Sequence, residues 1–188
     1  MENVLSSFRT LVVTLVVCCI LYTAVVWSFG AVFVPEKAKG SLIRDPSGQV
    51  IGSRQIAQGF SRPEYIWPRP SAVDYNAAAT GGSNLSPLNP KLTERAAAII
   101  DRLEPEQGQL VPADLVAASG SGMDPHITRA AAIFQAPRVA ASRDVPLQTV
   151  ERLIDEAAYS PEGFGLAAQD DRIVNVLELN MALDARFK

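Results

Sequence analysis

The residues with the most chemical potential lie in Ser119-Gly120-Ser121-Gly122-Met123-Asp124-Pro125-His126, which gathers two hydroxyls, a carboxylate and the only histidine of the chain. Serine, histidine and aspartate are the groups of a nucleophilic acyl-transfer catalyst, but that chemistry needs all three aligned beside an oxyanion site. The local pattern favours a plainer use. Asp124-Pro125 reads as a cap followed by proline at the first helical position, opening a helix near His126. His126 then falls in the first turn, where side chains bond local backbone. A single histidine leaves no multi-histidine metal cluster to build. No catalytic residue and no metal ligand is expected. Ser119, Gly120, Ser121, Gly122, Asp124 and His126 are read as a loop and helix cap.

A second tract, Ala79-Thr80-Gly81-Gly82-Ser83-Asn84-Leu85, offers backbone amides that could cradle an anion. It lacks the lysine and the spacing of a phosphate-binding P-loop. Around Ser83 the pattern is G-x-S-x-L, which is not a serine nucleophile elbow. Conformational freedom is the commonest use of glycine. Asn76, Gly81, Gly82, Ser83, Asn84 and Asn89 are therefore read as a shaped structural or interface loop.

The element that must hold these loops to their place of work is Leu11 to Val34, which carries no charged residue. As a helix it would be about 36 Å long, enough to cross a hydrocarbon core of about 30 Å. A signal peptide has a shorter apolar core and a small-residue cleavage site, so the span is read as an uncleaved membrane anchor. Cys19, Thr23, Ala24, Ser28 and Ala31 fall near one face of it. Small residues let a partner helix approach closely in lipid, although the same residues also serve as plain filler.

The organisation expected is residues 1–10 as a short terminus, 11–34 as the transmembrane helix and 35–188 as one soluble domain. The fold class is α+β: one N-terminal transmembrane helix followed by a single mixed domain. Asp45-Pro46-Ser47-Gly48 predicts a hairpin turn. The prolines at 63, 68 and 70 predict irregular structure with Phe60, Tyr65 and Trp67 folded onto a core. Asn89-Pro90 starts a helix to about Leu103, with Leu92, Ala96, Ile99, Ile100 and Leu103 on one face. A short helical piece follows within Val111–Ala118. The helix expected from His126 should be kinked or split at Pro137. Pro146–Ala158 predicts a helix with Leu147, Val150, Leu153 and Ile154 inward. A polar loop over 163–171, a strand over 172–176 and a last helix over 177–185, with Leu177, Met181 and Asn180 inward, complete the chain.

The net charge of −3 is mild, and no basic patch points to nucleic acid. Both cysteines, Cys18 and Cys19, lie inside the span, so the soluble part has no thiol chemistry. Arg9 precedes the span while Lys37, Lys39 and Arg44 follow it, a bias that taken alone favours a cytoplasmic C-terminal side. The rule weakens when a long domain follows.

Several motifs recur in a fixed order: Trp67-Pro68-Arg69-Pro70-Ser71-Ala72, Tyr75-Asn76, Gly81-Gly82-Ser83-Asn84-Leu85, Asn89-Pro90, Asp114-Leu115-Val116, Ser119 through Ile127, and Val174 through Asn180. This ordered set resembles KdpC, the family of small subunits of bacterial Kdp potassium-transporting ATPases. The resemblance covers nearly the whole chain; it departs from the family pattern at Ser86-Pro87-Leu88 and is looser over Ala167 to Asp171, before the last strand. It implies three partners: a channel-like KdpA-like subunit, a KdpB-like P-type ATPase subunit and a small KdpF-like peptide. It also implies a bacterial inner membrane location with membrane lipid around one span, a cytoplasmic N-terminus and a periplasmic domain. No cofactor would be bound directly, while the whole complex would use ATP, magnesium and potassium. The function implied is a non-catalytic accessory subunit that stabilises the pump and modulates transport. The family also carries a proposal that this subunit is a catalytic chaperone, raising the pump subunit's affinity for ATP in a ternary complex, in which the Gly81-Gly82-Ser83 tract is compared to the signature loop of ABC transporters.

Overall fold

The computed structural model describes residues 2–45, 47–161 and 171–187. Most of the loop expected over 163–171 lies outside these residues. The chain divides into two compact units, Met1–Ile51 and Gly52–Lys188.

The first unit is dominated by one continuous helix. α1 (Glu2–Leu15) passes through a π-helical turn, Val16–Leu21, into α2 (Tyr22–Phe33). Over Asn3–Phe33 it is long and apolar enough to cross a membrane. The helix therefore begins well before Leu11. The polar residues Ser6, Ser7, Arg9 and Thr10 mark where apolarity ends, not where helix ends, and the hydroxyl of Thr10 bonds the Ser6 carbonyl at 3.0 Å. Val34 leaves helical geometry at φ −139°, and Pro35 opens the short α3 (Pro35–Ala38). The predicted hairpin is present as β1 (Leu42–Arg44) and β2 (Val50–Ser53), with Gly48 at φ +86° in the connecting turn.

The second unit opens with a long irregular run from Ala57 to Asn89. α4 (Pro90–Leu103) starts as expected: the Asn89 side chain accepts from Lys91 N, Pro90 holds the first position, and Glu104 ends the helix at φ +48°. Its apolar face is only partly covered, and Ile100 stays exposed. α5 (Ala113–Val116) follows.

One expectation is overturned next. His126–Thr128 is not the start of a helix but a strand, β3, paired antiparallel with β4 (Ile173–Asn175). Three contacts hold it extended. An Asp124 carboxylate oxygen binds the His126 amide at 3.0 Å, the Pro125 carbonyl accepts from Val176 N, and Ile127 is buried opposite Val174. The capping role passes to Thr128, whose hydroxyl accepts from Ala131 N at 3.1 Å and opens α6 (Arg129–Arg143). α6 is also not split at Pro137, which lies exposed while Ala136 and Val139 beside it are fully buried. Core packing on the inner face outweighs one lost backbone bond on the outer face.

α7 (Leu147–Ala157) buries Val150, Leu153 and Ile154, whereas Leu147 is 39% exposed, a departure from its expected inward place. It packs against α6, whose buried residues include Ala131, Ala132, Ala136 and Ala140, small enough to let a neighbouring helix approach closely. α8 (Val176–Arg186) closes the core with Leu179 and Leu183, capped by Asn175.

The irregular run is tied to this core by two buried carboxamides. Asn180 on α8 accepts from Ile66 N at 2.8 Å and donates to Ile66 O at 2.9 Å. Gln135 on α6 does the same to Trp67, at 2.8 and 3.1 Å. Both side chains are about 1% exposed. Each amide takes the place of a neighbouring strand, supplying one acceptor and one donor to a buried backbone.

Candidate functional site

The two glycine tracts form one structure. Gly81 N donates to Ser121 O at 2.9 Å, and the Thr80 hydroxyl donates to the same oxygen at 3.1 Å. A Cβ on Gly82 would stand 2.9 Å from Gly120 O. Gly122 sits at φ +69°, and a Cβ there would meet Val73 Cγ2 at 2.6 Å and Gly81 O at 2.8 Å. The Ser71 hydroxyl ties the pair together by donating to Gly122 O at 2.7 Å and accepting from Tyr75 N at 3.0 Å. Glycine is required at 82 and 122 for close backbone approach, and at 122 for its left-handed φ as well.

Ser119 and Ser121 are used in the same internal way. Ser119 is buried, its amide donates to Pro70 O at 2.9 Å, and its hydroxyl lies 3.2 Å from that of Ser121. Ser121 Oγ accepts from Met123 N at 3.1 Å. Asn76 and Asn89 serve their own turns, accepting from Ala78 N and Lys91 N. Asn84 adopts φ +49°, a conformation asparagine tolerates better than most residues. Ser83 is half-buried beside it.

Asp124 and His126 do meet, but among the described residues no serine hydroxyl reaches either side chain; Ser119 Oγ accepts from the Asp124 amide alone, at 3.4 Å. His126 Nδ1 is 3.2 Å from Asp124 Oδ1, while Nε2 is 2.8 Å from the Tyr159 hydroxyl. Arg69 binds the other carboxylate oxygen at 3.1 Å. The hydrogen bond from His126 holds the Asp124 carboxyl below its ordinary value. Burial pushes the Tyr159 phenol up. The place a nucleophile would occupy on the imidazole is taken by a phenol of raised pKa, so the arrangement works as a brace between β3 and the segment after α7. Tyr159 and Arg69 carried no signal in the local sequence, because their partners are 33 and 55 residues away.

On the anchor, Cys19 falls in the π-helical turn, and Thr23, Ala24, Ser28 and Ala31 lie on α2. A shallow groove there is lined by Leu21, Ala24, Val25, Ser28, Phe29 and Val32 among others. Ala24, Ser28 and Ala31 follow an i, i+4, i+7 stripe, while Thr23 is turned about 100° from Ala24.

Three features now converge: an N-terminal helix of spanning length, the paired glycine loops, and the Trp67-to-Ser71 run gripped by the core. The sequence matches the family described as KdpC, K+-transporting ATPase c chain, over residues 4–185. The chain belongs to the KdpC family. It is thus an accessory subunit of a potassium pump. Among relatives of the same description, the potassium-transporting ATPase KdpC subunit of Parvibaculum lavamentivorans is 48% identical over 184 residues, covering 98% of this chain and 97% of its own. Those of Myxococcus xanthus and Beijerinckia indica are each 45% identical, covering 97% and 100% of this chain and 88% and 95% of their own. Membership accounts for the helix at the N-terminus, since a KdpC subunit serves a membrane transporter.

Proposed function

We propose that this chain is a non-catalytic scaffold subunit of an ATP-driven potassium uptake pump. It would be anchored once, with 1–10 in the cytoplasm and 35–188 on the outer side of a bacterial inner membrane. There it joins a channel-like KdpA-like subunit and a KdpB-like P-type ATPase subunit, with a KdpF-like peptide alongside. ATP, magnesium and potassium are handled by those partners. The observation that carries this reading is that the two glycine loops bond to each other and within themselves where they meet. The Gly81 amide is bonded to Ser121 O, and the Ser119 and Ser121 hydroxyls bond within their own loop. An anion site needs amides or cations left free to face the phosphate. Any effect of the chain on ATP affinity is then indirect, through a bias of about 1–3 kcal/mol between pump states.

Calorimetry of the purified full chain with Mg-ATP tests this, together with protease access to a C-terminal tag in intact spheroplasts. No saturable heat and cleavage from outside are expected. A micromolar site abolished by changing Gly82 or Ser83 would instead make the chaperone role literal. Leucine at both Ala24 and Ser28 should reduce co-purification with the other subunits, because it fills the groove on α2.

A further inference from the structure

Between the irregular run and α4 lies a cavity of about 180 Å³. Phe60, Trp67 and Tyr75 form its aromatic side, and Ile99, Leu103 and Leu115 its aliphatic side. An apolar cavity of roughly 150 Å³ stays dry and takes a benzene ring, so this one has room for a ring-sized group. The polar atoms in its wall are committed elsewhere: the Tyr75 hydroxyl donates to Arg69 O at 2.9 Å and the Ser71 hydroxyl to Gly122 O at 2.7 Å.

One lining residue is different. The Arg102 guanidinium lies 4.0 Å from the centre of the Trp67 ring, and that of Arg138 lies 3.8 Å from it. Two guanidiniums this close to one ring must stand on opposite faces. Stacking occupies the face of a guanidinium and leaves its edge donors free for a carboxylate fork. Arg102 donates only a long bond, 3.4 Å, to Ser61 O. The other arginine is more heavily used, by the carbonyls of Pro63 and Tyr65 and by Gln135. Among the described residues neither guanidinium has an ion-pair partner, although arginines 54, 62, 69, 129, 143 and 186 each have one. Burial first, then the charge of Arg102, lowers Arg138 to about 10.

We propose that this cavity binds a carboxylate carried on a ring-sized apolar group, the ring entering between Trp67 and α4 and the carboxylate pairing with the edge of Arg102. The carboxylate can come from a free aromatic acid or from a partner polypeptide, and the chemistry is the same.

The chain has two tryptophans, Trp27 and Trp67, so Trp27→Phe leaves one indole in the cavity wall as the reporter. Full-length protein in nanodiscs is titrated with benzoate, benzyl alcohol and benzylamine while Trp67 emission is followed. Benzoate should give a saturable change, tenfold or more tighter than benzyl alcohol, with benzylamine weaker still. Arg102→Gln should erase the preference for benzoate over the alcohol. Ile99→Phe, which fills the cavity from a half-buried position, should abolish both signals at unchanged thermal midpoint. In the assembled pump, loss of the benzoate response would assign the site to a partner segment, and its retention to a free acid. The proposal fails if benzoate and benzyl alcohol bind equally. It also fails if the preference survives in Arg102→Gln, or if no saturable change is seen up to about 10 mM, a bare few kcal/mol of affinity.

Discussion

Replacing Asn180 by Leu tests whether the carboxamide grip organises the second unit. The two side chains share a branched heavy-atom shape, but leucine is the bulkier, so any overpacking at this buried position adds to the loss. Ile66 N and Ile66 O then lose their bonds of 2.8 and 2.9 Å inside a site where Ile66 is fully buried. Each orphaned backbone group costs about 1–3 kcal/mol. The extra apolar burial of leucine returns about 1–2 kcal/mol. A net loss of about 3 kcal/mol is expected, or roughly 6–12 °C in Tm for a unit of this size. The assay is urea and thermal unfolding of the full chain, followed by Trp67 emission in the Trp27→Phe background. Asn180→Asp supplies a second reading. Its carboxylate would face the Ile66 carbonyl without a proton to donate, so the folded-state pKa should rise above the ordinary ~3.9. A raised carboxyl pKa means the folded state holds more protons, so stability must increase as pH falls through that value. The variant should therefore recover towards wild type near pH 4. A leucine variant losing under about 1 kcal/mol, or a flat pH response in Asn180→Asp, would refute the grip as the organising contact.

Gly122→Ala should prevent folding or cost several kcal/mol, because a left-handed φ of +69° and two contacts under 3 Å act together. Gly81→Ala, with only Val73 Cγ1 at 3.4 Å, should cost under about 1 kcal/mol by thermal melting. Thr128→Ala removes the cap of α6 and should cost about 1 kcal/mol in denaturant unfolding. Asp124 titrates below its ordinary 3.8 in the folded state, so its contribution is present above about pH 4 and lost as pH falls through the depressed value. Asp124→Asn should flatten the acid limb of a stability-against-pH curve, and an unchanged limb would show that other carboxylates set it.

What could be read from sequence was whatever is encoded within one turn. Asn89-Pro90 gave both the start of α4 and its cap, and the apolar run gave the membrane helix. The same local logic misread Asp124-Pro125, since a carboxylate binding the amide two residues on serves a helix cap and an extended turn alike. The deciding partner was β4, which lies 47 residues beyond Thr128's neighbour Ile127 at Val174. In the site, glycine at 81, 82 and 122 was legible as loop chemistry, but not that the two tracts are one object. Gln135 gave no signal at all: it sits on a helix between Phe134 and Ala136, and its bonds to Trp67 and Arg138, 68 and 3 residues away, explain a buried amide there.

The carboxamide grip also imposes an order in time. The run containing Ile66 and Trp67 is made early, but the side chains that receive it are 68 and 114 residues downstream. At ~5–20 residues per second of synthesis, Ile66 waits roughly 6–23 s for Asn180 to exist. Through that interval the proline-rich run has at most half its template, Gln135, and its closure is a long-range step of the kind that slows folding. A chain stopped just before residue 180 would carry the glycine loops and the Trp67 stack with Gln135 as their only carboxamide grip. Nascent chains of graded length should therefore stay protease-sensitive around Ile66 until Asn180 has emerged, and become resistant within a few residues of that point.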